Sequence, residues 1–407
     1  MNITESLECN TIINRLHVTT TTKDEQTNVK ITKQTRKHGS FIEVLRDMFL
    51  PKGYPNSVTS DYTGYQTWDT LQALCSSLTG VLATRAILKG YGVGNLNASV
   101  ASASIQWITR DAAGMLGRII FAWKWGTDLD CNSKTWRFAA DLLNDFGMTL
   151  EMISPLFGPS YFLPISCLGL ISKSICGVAG GCTKASLTQH FAKRDNLADV
   201  SAKDGSQETA IALVGMLLGM VMAASIPDDD DSIQVYFKTW LFFIIFTVIH
   251  LLCNYRAVSL VQLTSINRYR ANLIYQHFNE NNNNQIPTPK QISLKENILF
   301  RQSDLSIELG VSFTDINGDL KRVSGSDKDD KYMIWSNNKQ KKNHLIKIAI
   351  SSTATSSDII EGYFESITLV HGHSKLPSDF IQQLSNGGWC LDRMLLNTSG
   401  WRYTIDR

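Results

Sequence analysis

The sequence predicts a mainly α protein, a multi-helix membrane-associated bundle followed by a small α+β C-terminal domain. Three observations lead there. Residues 210–226 hold no charged side chain over 17 positions, near the lower limit for crossing a hydrocarbon core of about 30 Å. Residues 239–254 are equally uncharged and rich in Phe, Ile and Leu. Beyond residue 285 the texture changes to short alternating stretches, and no run there reaches membrane length.

Composition sets the outer bounds. The 407 residues suffice for two or three domains. Lys+Arg 39 against Asp+Glu 37 leave a net charge of +2, so nucleic acid is not an expected partner. The hydrophobic fraction of 43% is ordinary, and the case rests on how unevenly it is distributed. The eight cysteines include no Cys-x-x-Cys pair. They read as buried free thiols rather than a disulfide framework. The first residues lack the basic-then-apolar layout expected of a secretory signal, and Glu5, Glu8, Asp24 and Glu25 argue against an acid-poor transit peptide.

Taken in order, residues 1–40 are polar and Thr-rich and read as an unstructured tail. A short amphipathic helix over 41–49 follows, with Ser40 placed to cap it and Pro51, Gly53 and Pro55 to end it. From residue 59 to 278 the pattern is helical. Pro227 and the acidic run 228–231 separate the two uncharged segments. Four adjacent carboxylates are costly to bury, so the run predicts a solvated turn in a helical hairpin. Lys203 on one flank and Arg256, Arg268 and Arg270 on the other suggest that both ends face the cytoplasm.

Three earlier segments are interrupted: 71–88 by Arg85, 98–125 by Arg110, Asp111 and Arg118, and 161–182 by Lys173. Each such charge costs about 2.5–3.5 kcal/mol at a bilayer centre. They therefore face each other, a wet cavity, or a soluble core. Gly215-x-x-x-Gly219 has the spacing for close backbone approach, and Gly114, Gly117, Gly177, Gly180 and Gly181 extend the pattern. Residues 279–291, Asn-rich and then Pro-rich, read as a linker. In the domain 292–407, residues 344–350 suggest a strand, and 357–370 and 377–384 suggest helices.

Several constellations are candidates to carry chemistry. Asp61, Tyr65 and Asp69 fall at four-residue steps on one helix face. Paired carboxylates there suit acid–base work, a cation, or simply a water boundary. Arg110 and Asp111 mark either a path or an ion pair. Asp141 and Asp145, again four apart, suit a cation or a solvated face. Lys203, Asp204, Gln207 and Glu208 crowd the approach to the first uncharged segment, where Ser201, Asp204 or Ser206 could cap a helix start. Gly90, Gly92 and Gly94 match no phosphate-binding spacing and read as a turn. His371-x-His373 lacks a third ligand, and no Gly-x-Ser-x-Gly elbow is present. The candidate cluster is thus Asp61, Tyr65, Asp69, Arg85, Arg110, Asp111, Lys203, Asp204, Gln207 and Glu208. No catalytic residue, metal site or cofactor is assigned.

In sequence order, these strings resemble the root UVB-sensitive family. They are Phe49-Leu-Pro-Lys-Gly-Tyr-Pro-Asn-Ser-Val58, Asp61-Tyr-Thr-Gly-Tyr-Gln-Thr-Trp-Asp69, Leu82-Ala-Thr-Arg85 and Arg110-Asp-Ala-Ala-Gly-Met115, together with Gly177-Val-Ala-Gly-Gly181 and Asp199 through Glu208. The likeness covers roughly residues 41–278. The end of the chain, with Gly388-Trp389 and Trp401-Arg402, resembles a shortened form of the family's more divergent tail. The resemblance implies a membrane-associated protein of a kind found in plants, animals and protists. It also implies links to ultraviolet-B responses, seedling development and auxin transport in plant members, and it brings no reaction or catalytic residue. The sequence favours a membrane scaffold or transport-supporting protein over a transporter with a polar cavity, and both over a membrane-bound enzyme. Its expected partners are the lipid bilayer and a protein bound through the C-terminal domain.

Overall fold

The computed structural model describes residues 2–6, 12–23, 26–35, 41–93, 99–227, 233–280, 285–299, 305–316, 321–325, 331–337, 345–372 and 376–405. Ser40, Gly94, the acidic run 228–231, residues 281–284 and His373, all singled out above, lie outside them. Three strands come first: β1 (Asn2–Ser6), β2 (Ile12–Lys23) and β3 (Gln26–Thr35). They pair antiparallel in the order β1-β2-β3, where composition led to an expectation of an unstructured tail. The β-branched Thr residues that make the segment polar and repetitive, with its Ile and Val, also favour extended backbone.

Seven helices follow: α1 (Phe41–Phe49), α2 (Tyr62–Gly90), α3 (Val100–Cys131), α4 (Ser133–Ile153), α5 (Pro159–Phe191), α6 (Leu197–Ala224) and α7 (Ile233–Leu260). Of these, α2, α5, α6 and α7 are long and apolar enough to cross a membrane. Gly158, at φ +79°, turns the chain into α5, and Pro159 takes the first helical position, where a missing N–H costs nothing. Because α6 starts at Leu197, the residues 199–208 lie inside a helix, and the expected start at Ser201 or Ser206 is not there. Ser206, for example, donates to the Ala202 carbonyl.

The chain then runs through β4 (Ser265–Asn267), α8 (Arg268–Glu280), α9 (Pro289–Lys295), β5 (Ile307–Leu309), β6 (Lys321–Gly325), β7 (Tyr332–Ser336), β8 (Ile346–Ile350), α10 (Ser356–Val370), α11 (Phe380–Asn386) and β9 (Cys390–Leu395). A four-stranded sheet has the order β5-β8-β7-β6, with β5 and β8 parallel and the other pairs antiparallel. In β7 buried and half-buried residues alternate, as the two-residue repeat of a strand requires. Helix α10 starts on a capping box, the Thr355 hydroxyl accepting from Asp358 N–H while Asp358 accepts from Thr355 N–H. Its Ile360, Phe364 and Ile367 enter one core with Ile307, Ile334 and Ile348.

The chain divides into two compact units. The first holds Met1–Gln106, Met148–Ser166 and Lys184–Ala257, and the second Trp107–Gly147, Cys167–Thr183 and Val258–Arg407. In the second unit β4 pairs in parallel with β9, and Ala271, Ile274, Tyr275 and Phe278 of α8 join the core of the C-terminal sheet. Composition grouped α8 with the helical region and placed a linker after it. Its apolar repeat of i, i+3, i+4, i+7 identifies a buried face without saying which core receives it. The Pro-rich end of the expected linker is also packed. Thr288 caps α9, and the Trp389 indole donates to the Pro287 carbonyl at 2.8 Å.

Candidate functional site

In the first unit α2 and α6 run parallel, locked by four contacts with one sequence separation. Gln66 Nε2 donates to Asp204 Oδ1 at 2.8 Å, and Arg85 donates to the Ala223 carbonyl at 3.2 Å, both pairs being 138 residues apart. Between them Gly215 lies against Ser77 and Gly219 against Val81, at the same separation. Positions 66, 77, 81 and 85 form one stripe of a 3.6-residue helix. The predicted close approach at Gly215 and Gly219 is met: an added Cβ would come 2.5 Å from Ser77 Cβ and 2.6 Å from Val81 Cγ2. Helix α5 runs the opposite way, with Phe162 against Gly90 at one end of α2 and His190 beside Asp61 at the other.

That arrangement gathers two helix N-termini and one C-terminus at a single end. The N-termini carry partial positive charge and the C-terminus partial negative charge. The side chains complement both. Asp61, at the N-cap of α2, is buried and lies 2.9 Å from His190 Nε2 of α5. Lys184 of α5 lies 2.9 Å from Asp204 and 2.5 Å from Glu208 of α6. Asp199, in the first turn of α6, accepts from the Lys52 N–H at 2.6 Å. Lys203 donates to the Asp47 carbonyl, and Gln207 donates to the Phe49 carbonyl at 2.5 Å. Tyr65 donates to Asp69 at 3.3 Å, one turn along α2, while its ring and that of Tyr62 pack on Phe191. One and a half turns further in, Gln72 and His250 of α7 meet at 3.0 Å, both buried.

Of the ten candidate residues, the structure thus brings Asp61, Tyr65, Asp69, Lys203, Asp204, Gln207 and Glu208 to one end. Arg85 is elsewhere. Its guanidinium donates to the carbonyls of Ala223, Ile226 and Pro227, closing the C-terminal end of α6. Lys203 and Ala223 are 20 positions apart on α6, about 30 Å of helix, so Arg85 and Lys203 share no cavity. A hollow beside Arg85 is lined by Lys89, Met152, Leu156, Tyr236 and Trp240, among others, and by none of the Lys184–Asp204 cluster. Arg110 and Asp111 belong to α3 in the second unit, where Asp111 is exposed. Lys184, His190, Gln66, Gln72 and His250 were not among the candidates. The positions of Gln66 and Gln72 on α2 carry no hint of partners more than 130 residues away.

The second unit has its own polar centre. The carboxylate of Glu296 is held 2.7 Å from Lys134 Nζ and 3.1 Å from Arg270 Nε, with all three side chains buried. Burial alone would push the Glu296 carboxyl up, but Arg270 and Lys134 outweigh it and the net direction is down. Asp141 pairs with Arg137 at 3.2 Å on α4, so its carboxylate answers a neighbouring guanidinium. Among the described residues no group of three or more His, Cys, Asp or Glu is arranged to hold a metal ion. Gly114 and Gly117 of α3 pack on Ser174 and Ile171 of α5, whereas a Cβ added at Gly180 or Gly181 would have nothing within 4 Å. Burial, with Asp128 and Asp130 nearby, pushes the Cys131 thiol up to about 11, which removes it as a nucleophile at neutral pH.

A bundle with four membrane-length helices, a parallel α2–α6 seam pinned at both ends, and an α+β module in the same chain defines the structural class. Residues 35–282 match the family described as the vitamin B6 photo-protection and homoeostasis domain. Over 99% of its length the chain is 42% identical to RUS family member 1 of Dictyostelium discoideum, covering 97% of that protein. It is 37% identical to protein root UVB sensitive 3 of Arabidopsis thaliana over 87% of this chain and 84% of that one. Protein root UVB sensitive 2, chloroplastic, from the same plant is 26% identical over 88% and 84% of the two chains. The chain belongs to the root UVB-sensitive family. No solved structure matches it.

Proposed function

We propose that this chain is an integral membrane protein whose helical region is a scaffold, supporting transport or holding a partner rather than forming a transport path itself. The observation that carries this reading is the α2–α6 seam. Its polar pins, Gln66–Asp204 and Arg85–Ala223, lie 19 residues apart, about 28 Å along the helices, which matches a hydrocarbon core of about 30 Å. Between the pins Gly215 and Gly219 bring the helices into close approach against Ser77 and Val81, and the hollow lined by Leu71, Leu74 and Ile211 has no charged residue in its wall. Outward from it, Leu217, Val221, Phe237, Ile244 and Leu252 are exposed, as lipid-facing side chains would be. The ionisable groups at the Asp204 end are matched to one another and to helix dipoles, which suits a junction more than a moving relay. The α+β module, joined through its own buried ion cluster at Glu296, is the part proposed to engage a protein partner.

The family description supplies the physiological setting, vitamin B6 homoeostasis, and therefore a readout. In cells lacking the protein, the full chain carrying Lys184→Gln with Asp204→Asn keeps hydrogen-bonding capacity and loses the charges. Under the scaffold reading this variant restores cellular vitamin B6 content as the wild type does and stays in the carbonate-resistant membrane fraction. Restored membrane insertion with lost vitamin B6 control would favour the transporter reading instead. Release of the wild-type chain by carbonate would overturn the integral-membrane reading itself.

A further inference from the structure

Helix α1 is amphipathic by its sequence. At 100° per residue, Phe41, Val44, Leu45 and Met48 share one face, extended by Ile42 and Phe49, while Glu43, Arg46 and Asp47 occupy the opposite one. In a soluble helix the apolar face would be buried. Here it is bare: Phe41 is 75% exposed, Ile42 73% and Met48 51%, and α1 has no buried residue.

The helix is nevertheless fixed in place, and by its polar end. The carbonyls of Asp47 and Phe49 receive Lys203 and Gln207 of α6, and Arg46 donates to the Tyr54 carbonyl at 2.9 Å. The anchoring level on α6 matters. From Ala210 to Pro227 that helix carries no charge, and Gln207 stands three residues, about 4.5 Å, before it. A second element marks the same depth. By the 138-residue pairing, Trp68 and Leu71 of α2 lie level with Ser206 and Thr209. Both are exposed, and with Thr67, Thr70, Leu74 and Ile211 they line an apolar hollow. An exposed tryptophan at the start of an apolar span is the mark of the headgroup level.

We infer that α1 is an in-plane membrane helix, lying on the bilayer surface with Phe41, Leu45 and Met48 in the acyl boundary, and that its occupant is lipid. This rests on the integral-membrane reading above. Its apolar arc is of the kind that seats about 5–10 Å into an interface. Tethering through Lys203 and Gln207 holds it at the depth where α2 and α6 enter. The charged face, with Glu43, Arg46 and Asp47, lies on the opposite side of the helix from that boundary.

The test places a diazirine photocrosslinking amino acid in the full-length chain, one site at a time, at Phe41, Leu45, Glu43, Asp47 and Leu217. The protein is reconstituted in phosphatidylcholine vesicles containing a radiolabelled phospholipid. Leu217, on the exposed face of α6, reports the membrane reading. Lipid adducts at Leu217, Phe41 and Leu45, severalfold above those at Glu43 and Asp47, are expected. Adducts at Leu217 with none above background at Phe41 and Leu45, or adducts there only to protein, would overturn the inference while leaving the membrane reading intact. No lipid adduct at Leu217 would overturn both. Lys203→Ala with Gln207→Ala should lower the adducts at Leu45 without changing those at Leu217, and an unchanged yield at Leu45 would refute the tether.

Discussion

The α2–α6 seam makes a prediction in which one chemical change has opposite signs at two positions of one helix. Gly215→Ala adds a methyl 2.5 Å from Ser77 Cβ, and Gly219→Ala one at 2.6 Å from Val81 Cγ2. Carbon atoms rest at about 3.5–4.0 Å, and the groups in the way are a Cβ and a branched side chain next to the backbone. The helices must therefore part by about 1 Å. The hydrogen bonds at 2.8 Å from Gln66 to Asp204 and at 3.2 Å from Arg85 to Ala223 then stretch toward the limit of useful geometry, near 3.5 Å. Overpacking of this kind costs about 1–3 kcal/mol, against a helix-propensity gain from Gly to Ala of up to about 1 kcal/mol. Gly205, on the same helix, has nothing within 4 Å of an added Cβ, so Gly205→Ala collects the propensity gain alone. Thermal unfolding of the detergent-solubilised protein is expected to rank Gly205→Ala at or above wild type, and Gly215→Ala below it by about 1–2 kcal/mol. The double variant Gly215→Ala with Gly219→Ala should fall lower still. Equal stability of Gly215→Ala and Gly205→Ala would refute the close parallel seam.

Other expectations concern the two polar centres. Glu296→Gln leaves Lys134 and Arg270 buried without their counter-charge, and should cost the second unit about 3–5 kcal/mol by thermal or urea unfolding; a loss below 1 kcal/mol would mean the cations find water or another partner. The Glu296 carboxyl is held below its ordinary value, so its contribution is complete above the unfolded carboxylate range, near pH 4.3, and fades as pH falls through the depressed folded value. Wild type should lose stability below about pH 4 more steeply than Glu296→Gln does. Asp204→Leu removes the acceptor of Gln66 and one partner of Lys184, at about 1–3 kcal/mol. Asp204→Asn keeps the Gln66 bond and should recover much of that, as read by protection of the α2–α6 segments from limited proteolysis.

What the sequence determined by itself is local. The uncharged runs 210–226 and 239–254 specify the apolar helices α6 and α7, because absence of charge over that length leaves the backbone no better way to satisfy its own hydrogen bonds in lipid or a core. The amphipathic repeat specified α1, and the apolar repeat over 357–370 specified α10 to within a residue of its start. The strand read over 344–350 contains β8, which starts two residues later. The Gly215-x-x-x-Gly219 spacing showed that a backbone would come close there. It did not show which one. The tertiary structure decided that α2 is the partner, that the two helices run parallel with a 138-residue register, and that α5 returns between their ends to bring Lys184 and His190 to Asp204 and Asp61. It also separated Arg85 from Lys203, and assigned α8 to the C-terminal core. In each case a side-chain face or a charge was readable in the sequence but its partner was not. Complementarity between faces far apart in the chain depends on shape and on the ends of other helices, and no local pattern encodes either. The ten polar candidates were therefore recognisable as a set, and only folding sorted them into a junction at one end of the seam, a clamp at the other, and a pair, Arg110 and Asp111, in a different unit.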